Sequence, residues 1–162
     1  MRDNERVLII GCLGQIGTEL SESLNGLIGR QNVILSDIST PPASYLTGSN
    51  GNDNNNPFYF LNVVHDRKRL NHLIEKHQIT TVIHNAAFLS ATAERNVEDA
   101  SELNTVGLHN VLSVGAQHGL KVFVPSSIAA FGPSTPLDNV PDLTIQRPTT
   151  VYGIGKVYAE LM

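Results

Sequence analysis

Near its amino end the chain reads Val7-Leu8-Ile9-Ile10-Gly11-Cys12-Leu13-Gly14-Gln15-Ile16-Gly17. Four consecutive apolar residues that stop at a glycine predict a strand buried on both faces. Beyond the glycines, apolar residues recur at helical spacing and predict an amphipathic helix that begins at the loop: Ile16, Leu20, Leu24 and Leu27. A buried strand, a glycine loop and a helix in this order predict one βα unit of a parallel α/β sheet.

The glycine loop carries the first functional signal. Its glycines are spaced three and three, whereas the commoner dinucleotide-binding fingerprint reads G-x-G-x-x-G. Glycines allow a tight turn and a close approach of the backbone, and the unpaired amides at a helix start can face an anion. A plain turn is the alternative for the pattern alone. We predict that the loop holds the pyrophosphate of a dinucleotide through Gly11, Gly14, Gln15, Ile16 and Gly17.

A second predicted strand, residues 33–37, ends in Asp37, twenty residues after Gly17. That separation is expected for a carboxylate that accepts hydrogen bonds from the adenosine ribose hydroxyls and repels a 2′-phosphate. The alternative is that Asp37 begins a loop or caps a turn. The strand, the glycine loop and the acid together favour a bound dinucleotide, and the acid favours NAD over NADP.

The rest of the chain alternates strand and helix. Further strands are predicted at residues 58–64, 80–84 and 121–124, with helices after residue 66 and at 97–118. Residues 40–57, rich in Pro, Gly, Ser and Asn, predict a mobile surface loop without a catalytic role. Long crossovers imply a Rossmann-type, doubly wound parallel sheet with helices on both faces. Residues 1–162 are therefore predicted to form one NAD-binding domain.

The composition narrows the class of protein. An apolar content of 41%, without a run of about twenty apolar residues, favours a soluble globular chain with no membrane span. A formal charge of −4 and no basic cluster argue against nucleic acid as a partner. Six histidines without ligand spacing and a single cysteine predict no metal and no internal disulfide. No secretory or transit segment is recognisable, so we expect the cytosol, or mitochondria if the start is incomplete.

Ligands of parallel sheets bind beyond the carboxyl ends of the strands. Ser126 and Ser127 follow the fifth predicted strand, where a hydroxyl can donate to a substrate oxygen or, more commonly, cap a turn. Small alanines after the fourth strand would let a flat cofactor lie close to the backbone, although tight packing explains them equally well. Four more residues lie at the carboxyl ends of the third and fourth predicted strands, and we add them to the predicted cofactor site: Asn62, Val63, Ala86 and Ala87.

Tyr152 and Lys156 carry the second functional signal. On a helix, residues four apart share a face, so the lysine ammonium can lie close to the tyrosine phenol. A free tyrosine is a poor base at neutral pH, and a nearby ammonium together with the positive start of a helix favours the phenolate. The pair thus predicts a tyrosine that takes a proton from an alcohol, while an exposed surface pair is the plain alternative.

Together the glycine loop at 11–17, Ser127 and the Tyr-x-x-x-Lys of 152–156 resemble the extended short-chain dehydrogenase/reductase superfamily, which includes nucleotide-sugar epimerases and dehydratases. Within that group, residues 124–133, 145–148 and 150–162 are most similar to the short-chain L-threonine 3-dehydrogenases. The likeness runs from residue 7 to residue 162. It therefore covers essentially the whole chain.

The resemblance implies an activity and a set of roles. NAD+ would oxidise the 3-hydroxyl of L-threonine to 2-amino-3-ketobutyrate, with Tyr152 as the base and Ser127 as the catalytic serine. Lys156 would hold the nicotinamide ribose and favour the phenolate. Ser90 matches a serine that contacts the amino-acid substrate. Asn104 matches a helix asparagine associated with the active site, and we assign it to the cofactor site.

The chain also departs from the pattern of these relatives. Asn62 stands where they commonly carry an acid, and Gly155 stands where they commonly carry serine. Relatives continue past the lysine helix into a substrate-binding lobe, which we expect to be absent here. Two alternatives therefore stay open, a nucleotide-sugar epimerase or dehydratase and a catalytically inactive NAD-binding fragment. The resemblance further implies a homodimer that pairs through the helix at 97–118 and the helix of Tyr152.

Overall fold

The computed structural model describes residues 5–42 and 56–162, so most of the predicted loop at 40–57 lies outside the described residues. Five strands form one sheet in which every pair of neighbours is parallel. They are β1 Val7–Ile10, β2 Val33–Asp37, β3 Phe58–Phe60, β4 Thr81–His84 and β5 Lys121–Phe123. Their order across the sheet is β3-β2-β1-β4-β5.

Helices connect the strands. The described α-helices are α1 Gln15–Ile28, α2 Arg67–His77, α3 Ser90–Ala93, α4 Val97–Glu102, α5 Leu108–His118 and α6 Val151–Leu161. Short 3₁₀ segments at Arg30–Asn32 and Ile128–Ala130 complete the connections, and a π-helical segment, Leu103–Gly107, joins α4 to α5. None of these helices combines the length and the apolar character needed to cross a membrane.

The core has one apolar layer on each face of the sheet. On one face Val82 and its neighbours in the sheet pack with α2 and α5, through residues such as Leu70 and Val111. On the other face Ile9 and Cys12 pack with α1. Alternate residues of a strand point to opposite faces, so the unbroken apolar run of β1 serves both layers. The prediction of a doubly wound Rossmann-type sheet is confirmed.

The switch in strand order lies between β1 and β4. β2 pairs with one edge of β1, and β4 pairs with the other, so Ile10 lies level with Ser36 and with His84. The chain runs outward in opposite directions from this point, and ligands of such sheets bind in the crevice that results. The carboxyl ends of β1, β2 and β4 therefore meet where the glycine loop leaves β1.

Three predicted elements differ in extent. The third strand ends at Phe60 rather than at residue 64, because the side chain of Asn62 accepts a hydrogen bond from Val64 N at 2.9 Å and turns the chain. The helix predicted at 97–118 contains the π-helical segment, which a 3.6-residue periodicity does not reveal. The fourth and fifth strands are one residue shorter than predicted, within the usual variation of element ends.

Candidate active site

A cleft of about 480 Å³ opens at the carboxyl ends of the strands. It brings together seven of the residues predicted to bind the cofactor: Gly11, Gly14, Asp37, Asn62, Val63, Ala86 and Ala87. The cleft is also lined by residues that were not assigned to the predicted cofactor site, among them Ile38, Asn85 and Phe88. Asp99 and Glu102 are exposed and also line this cleft.

The glycine loop is folded tightly against its neighbours. Gly11 has a φ of 80°, in the region that side chains rarely adopt, and a Cβ there would lie 2.7 Å from Ala86 N. A Cβ on Gly17 would lie 2.4 Å from Gly11 O, so the start of α1 rests on the loop itself. Gln15 and Ile16 are exposed in the first turn of α1 and do not line the cleft. No acidic side chain occupies that first turn.

Asp37 ties the loop to the end of β2. Its Oδ2 accepts a hydrogen bond from Leu13 N at 3.0 Å, and its Oδ1 accepts one from Ser39 N at 3.0 Å. The residue thus caps a turn, one of the two alternatives raised by the sequence, while its side chain also lines the cleft. A carboxylate offers about four acceptor positions, so these two bonds leave others for a ligand.

Asn110 supports the part of the cleft wall that follows β3, a role that was not predicted. Its buried Nδ2 donates to Val63 O at 2.9 Å and to Val64 O at 3.1 Å, which holds the segment after β3 against α5. A buried amide in an otherwise apolar helix face is the signal that could have indicated this contact. These hydrogen bonds fix the position of Val63, which lines the cleft.

Tyr152 and Lys156 lie on α6, beyond the end of β5. Thr150 caps this helix, because its Oγ1 accepts a hydrogen bond from Gly153 N at 3.0 Å. Glu94 also accepts a bond from the first helical amide, Val151 N, at 2.6 Å. A Cβ on Gly153 would lie 2.1 Å from Ala129 O, so the helix is in direct contact with the 3₁₀ segment.

The predicted pair does share a helix face. Lys156 Nζ lies 5.4 Å from the centre of the Tyr152 ring and donates to Pro125 O at 2.8 Å. Both side chains are partly buried, and burial lowers the pKa of Lys156. Neither residue lines the cleft, but the bond to Pro125 brings the ammonium to the carboxyl end of β5, at the same edge of the sheet.

His84 lies buried at the end of β4. Its Nδ1 has no hydrogen-bond partner among the described residues. Burial, and then the charge of Lys156, lower the pKa of His84 to about 4, so its imidazole is neutral at physiological pH.

Three other predicted residues occupy simpler positions. Ser127 caps the 3₁₀ segment, because its Oγ accepts a hydrogen bond from Ala129 N at 3.2 Å, and its hydroxyl proton stays available. Ser90 is exposed at the start of α3, outside the cleft. Asn104 lies in the π-helical segment and packs on Gly155, where a Cβ would lie 2.2 Å from its Nδ2. Glycine at position 155 therefore leaves room for the side chain of Asn104.

Cys12 is a small packing residue of the core. It is fully buried below the loop, and burial raises the pKa of its thiol to about 12. Among residues 5–42 and 56–162, no group of three or more His, Cys, Asp or Glu side chains could hold a metal ion.

Comparison with known proteins agrees with this architecture. The chain is 48% identical over 161 residues to the protein named L-threonine 3-dehydrogenase, mitochondrial, of Bos taurus, a match that covers 99% of this chain and 41% of that protein. It is 46% identical over 160 residues to the human protein named inactive L-threonine 3-dehydrogenase, mitochondrial, covering 99% of this chain and 66% of that one. The chain thus spans less than half the length of the bovine relative.

A solved structure agrees with this similarity in both sequence and fold. The X-ray structure of L-threonine dehydrogenase from Clostridium difficile matches with a TM-score of 0.89 at 40% identity, over 99% of this chain and 48% of that one. The family model described as "NAD dependent epimerase/dehydratase family" matches residues 7–162, which is nearly all of the chain. The chain therefore belongs to the NAD dependent epimerase/dehydratase family.

Proposed function

We propose that this chain is the NAD-binding part of an enzyme that oxidises the 3-hydroxyl of L-threonine with NAD+ and yields 2-amino-3-ketobutyrate. Two kinds of observation support the proposal. The chain resembles L-threonine dehydrogenases at 40% to 48% identity, and its sheet edge carries both a cleft and a tyrosine–lysine pair. The observation that carries the proposal is the Lys156 ammonium held beside Tyr152 by its bond to Pro125.

The residues of the cleft fit a dinucleotide. Gly11 has no side chain, and a Cβ there would clash with Ala86, so its backbone is open to a ligand. The first amides of α1 have no partners within the helix. We assign the pyrophosphate to Gly11, Gly14, Gln15, Ile16 and Gly17. Free acceptor positions on Asp37 suit ribose hydroxyls and disfavour a 2′-phosphate, which supports NAD over NADP. Asn62, Val63, Ala86 and Ala87 would form the walls beside the adenosine and the nicotinamide ribose.

Proton removal is the contribution of the chain to the chemistry. When bound, NAD+ accepts the hydride from the substrate carbon, and the protein supplies orientation and a base. Tyr152 takes the proton of the 3-hydroxyl, and the ammonium of Lys156 stabilises the phenolate. Lys156 has donors to spare beyond Pro125, and we assign one of them to the nicotinamide ribose.

The remaining predicted residues would position the substrate. Ser127 uses its oxygen to cap the 3₁₀ segment, which leaves its hydroxyl proton free to donate to the substrate oxygen. Ser90 stands exposed at the start of α3, where it could meet the amino-acid group. Asn104 would steady Lys156 from the π-helical segment, since it packs on the same turn of α6.

The proposal is tested by measuring NADH formation by the purified protein with L-threonine and, separately, with a nucleotide sugar. We expect NADH only with L-threonine. Epimerases and dehydratases return the hydride to the sugar and form no net NADH. Conversion of the nucleotide sugar, followed by chromatography, without NADH formation from L-threonine would therefore favour that alternative, which the family match also allows. NAD binding without turnover of either substrate would identify a catalytically inactive chain, as the name of the human relative describes for that protein.

A further inference from the structure

Asn85 is the one residue of the cleft wall, among those that the structure describes, whose side-chain amide is buried and unpaired. Both Nδ2 and Oδ1 are inaccessible and lack a hydrogen-bond partner among the described residues. Asn85 nevertheless lines the cleft. Buried polar groups are nearly always paired, so an amide with neither its donor nor its acceptor satisfied calls for a partner that binds from outside the chain.

The backbone of Asn85 is held by a hydrogen bond, whereas its side-chain amide makes none. Asn85 N donates to Ile10 O at 2.9 Å and so continues the ladder between β4 and β1. The residue also lies directly behind the glycine loop, since a Cβ on Gly11 would come within 3.0 Å of the Asn85 carbonyl carbon. Because neither amide atom makes a hydrogen bond, rotation of the side chain toward the cleft breaks none.

Sheet order indicates which part of a dinucleotide meets this residue. Asp37 and Asn62 lie on the β2–β3 side of the glycine loop, where the adenosine is assigned. Lys156 lies on the β5 side, where the nicotinamide ribose is assigned. Asn85 stands between them, at the end of β4 and against Gly11.

We infer that Asn85 is a cofactor-binding residue that recognises the second phosphate and second ribose of the dinucleotide, beyond adenosine 5′-phosphate. Its Nδ2 donates to a phosphate oxygen, and its Oδ1 accepts from a ribose hydroxyl. An amide suits this junction because it offers one donor and one acceptor on adjacent atoms. The inference rests on the proposed binding of NAD and adds to it a residue outside the glycine loop and the tyrosine pair.

The test compares three ligands by calorimetry on the wild-type protein and on Asn85→Leu and Asn85→Ala. AMP carries only the adenosine half, whereas ADP-ribose and NAD carry the second phosphate and ribose. We expect both variants to bind ADP-ribose and NAD about tenfold more weakly, and AMP within about twofold of wild type. Unchanged affinity for ADP-ribose, or an equal loss for AMP, would overturn the inference.

Thermal unfolding without ligand supplies an independent readout. Leucine has nearly the shape of asparagine without its polar atoms, so Asn85→Leu should raise the melting temperature of the ligand-free protein by a few degrees. Asn110→Leu is the matched contrast, because that amide is paired with Val63 O and Val64 O and its loss should lower the melting temperature. A lower melting temperature for Asn85→Leu would mean that the amide is satisfied without ligand, and would refute its assignment.

The two possible failures are distinguishable. If the wild-type protein binds neither NAD nor ADP-ribose, the proposed function fails and this inference fails with it. If the wild-type protein binds both and the Asn85 variants bind them equally well, only the role of Asn85 is refuted.

Discussion

Two regions of the molecule are built in different ways. The loop half is the glycine loop with the end of β2, and the tyrosine half is the 3₁₀ segment Ile128–Ala130 with α6. In the loop half, Gly11 N and Cys12 N both donate to Ser36 O, and Asp37 accepts from Leu13 N. The strand beneath it is almost wholly buried. In the tyrosine half, Ile128 is 90% exposed and Ile154 57% exposed. Backbone bonds thus close the first half, although both halves expose apolar side chains, since Ile16 of the glycine loop is 64% exposed.

The contacts that fix the tyrosine half come from far along the chain. Glu94 reaches Val151 N across 57 residues, and Ser126 bonds Glu160 across 34. Such contacts are single side-chain bonds at exposed positions, each of which contributes little to stability. The proposed cofactor cleft is thus preorganised by the sheet, whereas α6 also relies on side-chain bonds to residues distant in the sequence. Binding and turnover should therefore be separable by mutation.

Tyr152→Phe should separate them most sharply. Removal of the phenolic oxygen deletes the proposed base, and general base catalysis contributes about 10² to 10⁴ in rate. We expect turnover of L-threonine to fall at least about a thousandfold, or about 4 kcal/mol, with NAD affinity within about twofold of wild type. Steady-state kinetics and calorimetry measure the two quantities. Tyr158→Phe, on the same helix, is the control that should stay active, and persistent NADH formation by Tyr152→Phe would refute the base.

Gly11→Ala tests the rigidity of the loop half. The new methyl group would lie 2.7 Å from Ala86 N at a φ of 80°, and both the clash and the backbone strain destabilise the fold. We expect the free energy of unfolding in urea to fall by about 3 kcal/mol and NAD binding to be lost. Gly26→Ala, inside α1, is the matched control, because a Cβ at Gly26 would have no neighbouring atom within 4 Å. It should stabilise the protein by roughly 0.5 to 1 kcal/mol, and a Gly11→Ala variant as stable as wild type would contradict the rigidity of the loop.

The same division explains what the sequence could predict. The loop half is encoded within about thirty consecutive residues, where hydrophobic runs and glycine spacing act locally, and its strand, loop and helix are predicted correctly. The short third strand and the π-helical segment were missed because a side-chain turn at Asn62 and an extra residue in a helix leave no mark on periodicity. The unpaired polar atoms of Asn85 and His84 were not predicted for a different reason, because burial without a hydrogen-bond partner depends on the folded neighbourhood.

His84 permits a test of how well the end of β4 is shielded from water. Its pKa in the fold is about 4, against 6.5 for a free histidine, because of burial and then Lys156. Between these values the unfolded chain binds a proton that the folded chain does not, so stability falls as pH falls. We expect the free energy of unfolding to drop by about 2 kcal/mol from about pH 7.5 to about pH 5 on account of this residue.

The slope of stability against pH isolates His84 from other groups. Burial also lowers the pKa of His77 and adds a slope of the same sign, but that residue is present in both proteins compared. Denaturant unfolding of His84→Leu at both pH values should show a correspondingly shallower decline than wild type, whatever the absolute stability of the variant. Equal slopes would mean that His84 takes up its proton at an ordinary pH and that the end of β4 is open to water.

Asp37 gives the smallest expected effect and separates charge from loop positioning. Asp37→Asn keeps an oxygen near Leu13 N and removes the charge that would repel a 2′-phosphate, whereas Asp37→Ala also removes the bonds to Leu13 N and Ser39 N. We expect the ratio of NADP to NAD affinity to rise about tenfold in both variants, which is about 1.4 kcal/mol. Asp37→Ala should weaken the binding of AMP more than Asp37→Asn does, because it alone also releases the glycine loop. Binding titrations with NAD, NADP and AMP measure these differences. An unchanged cofactor preference in both variants would mean that Asp37 positions the loop and does not discriminate between NAD and NADP.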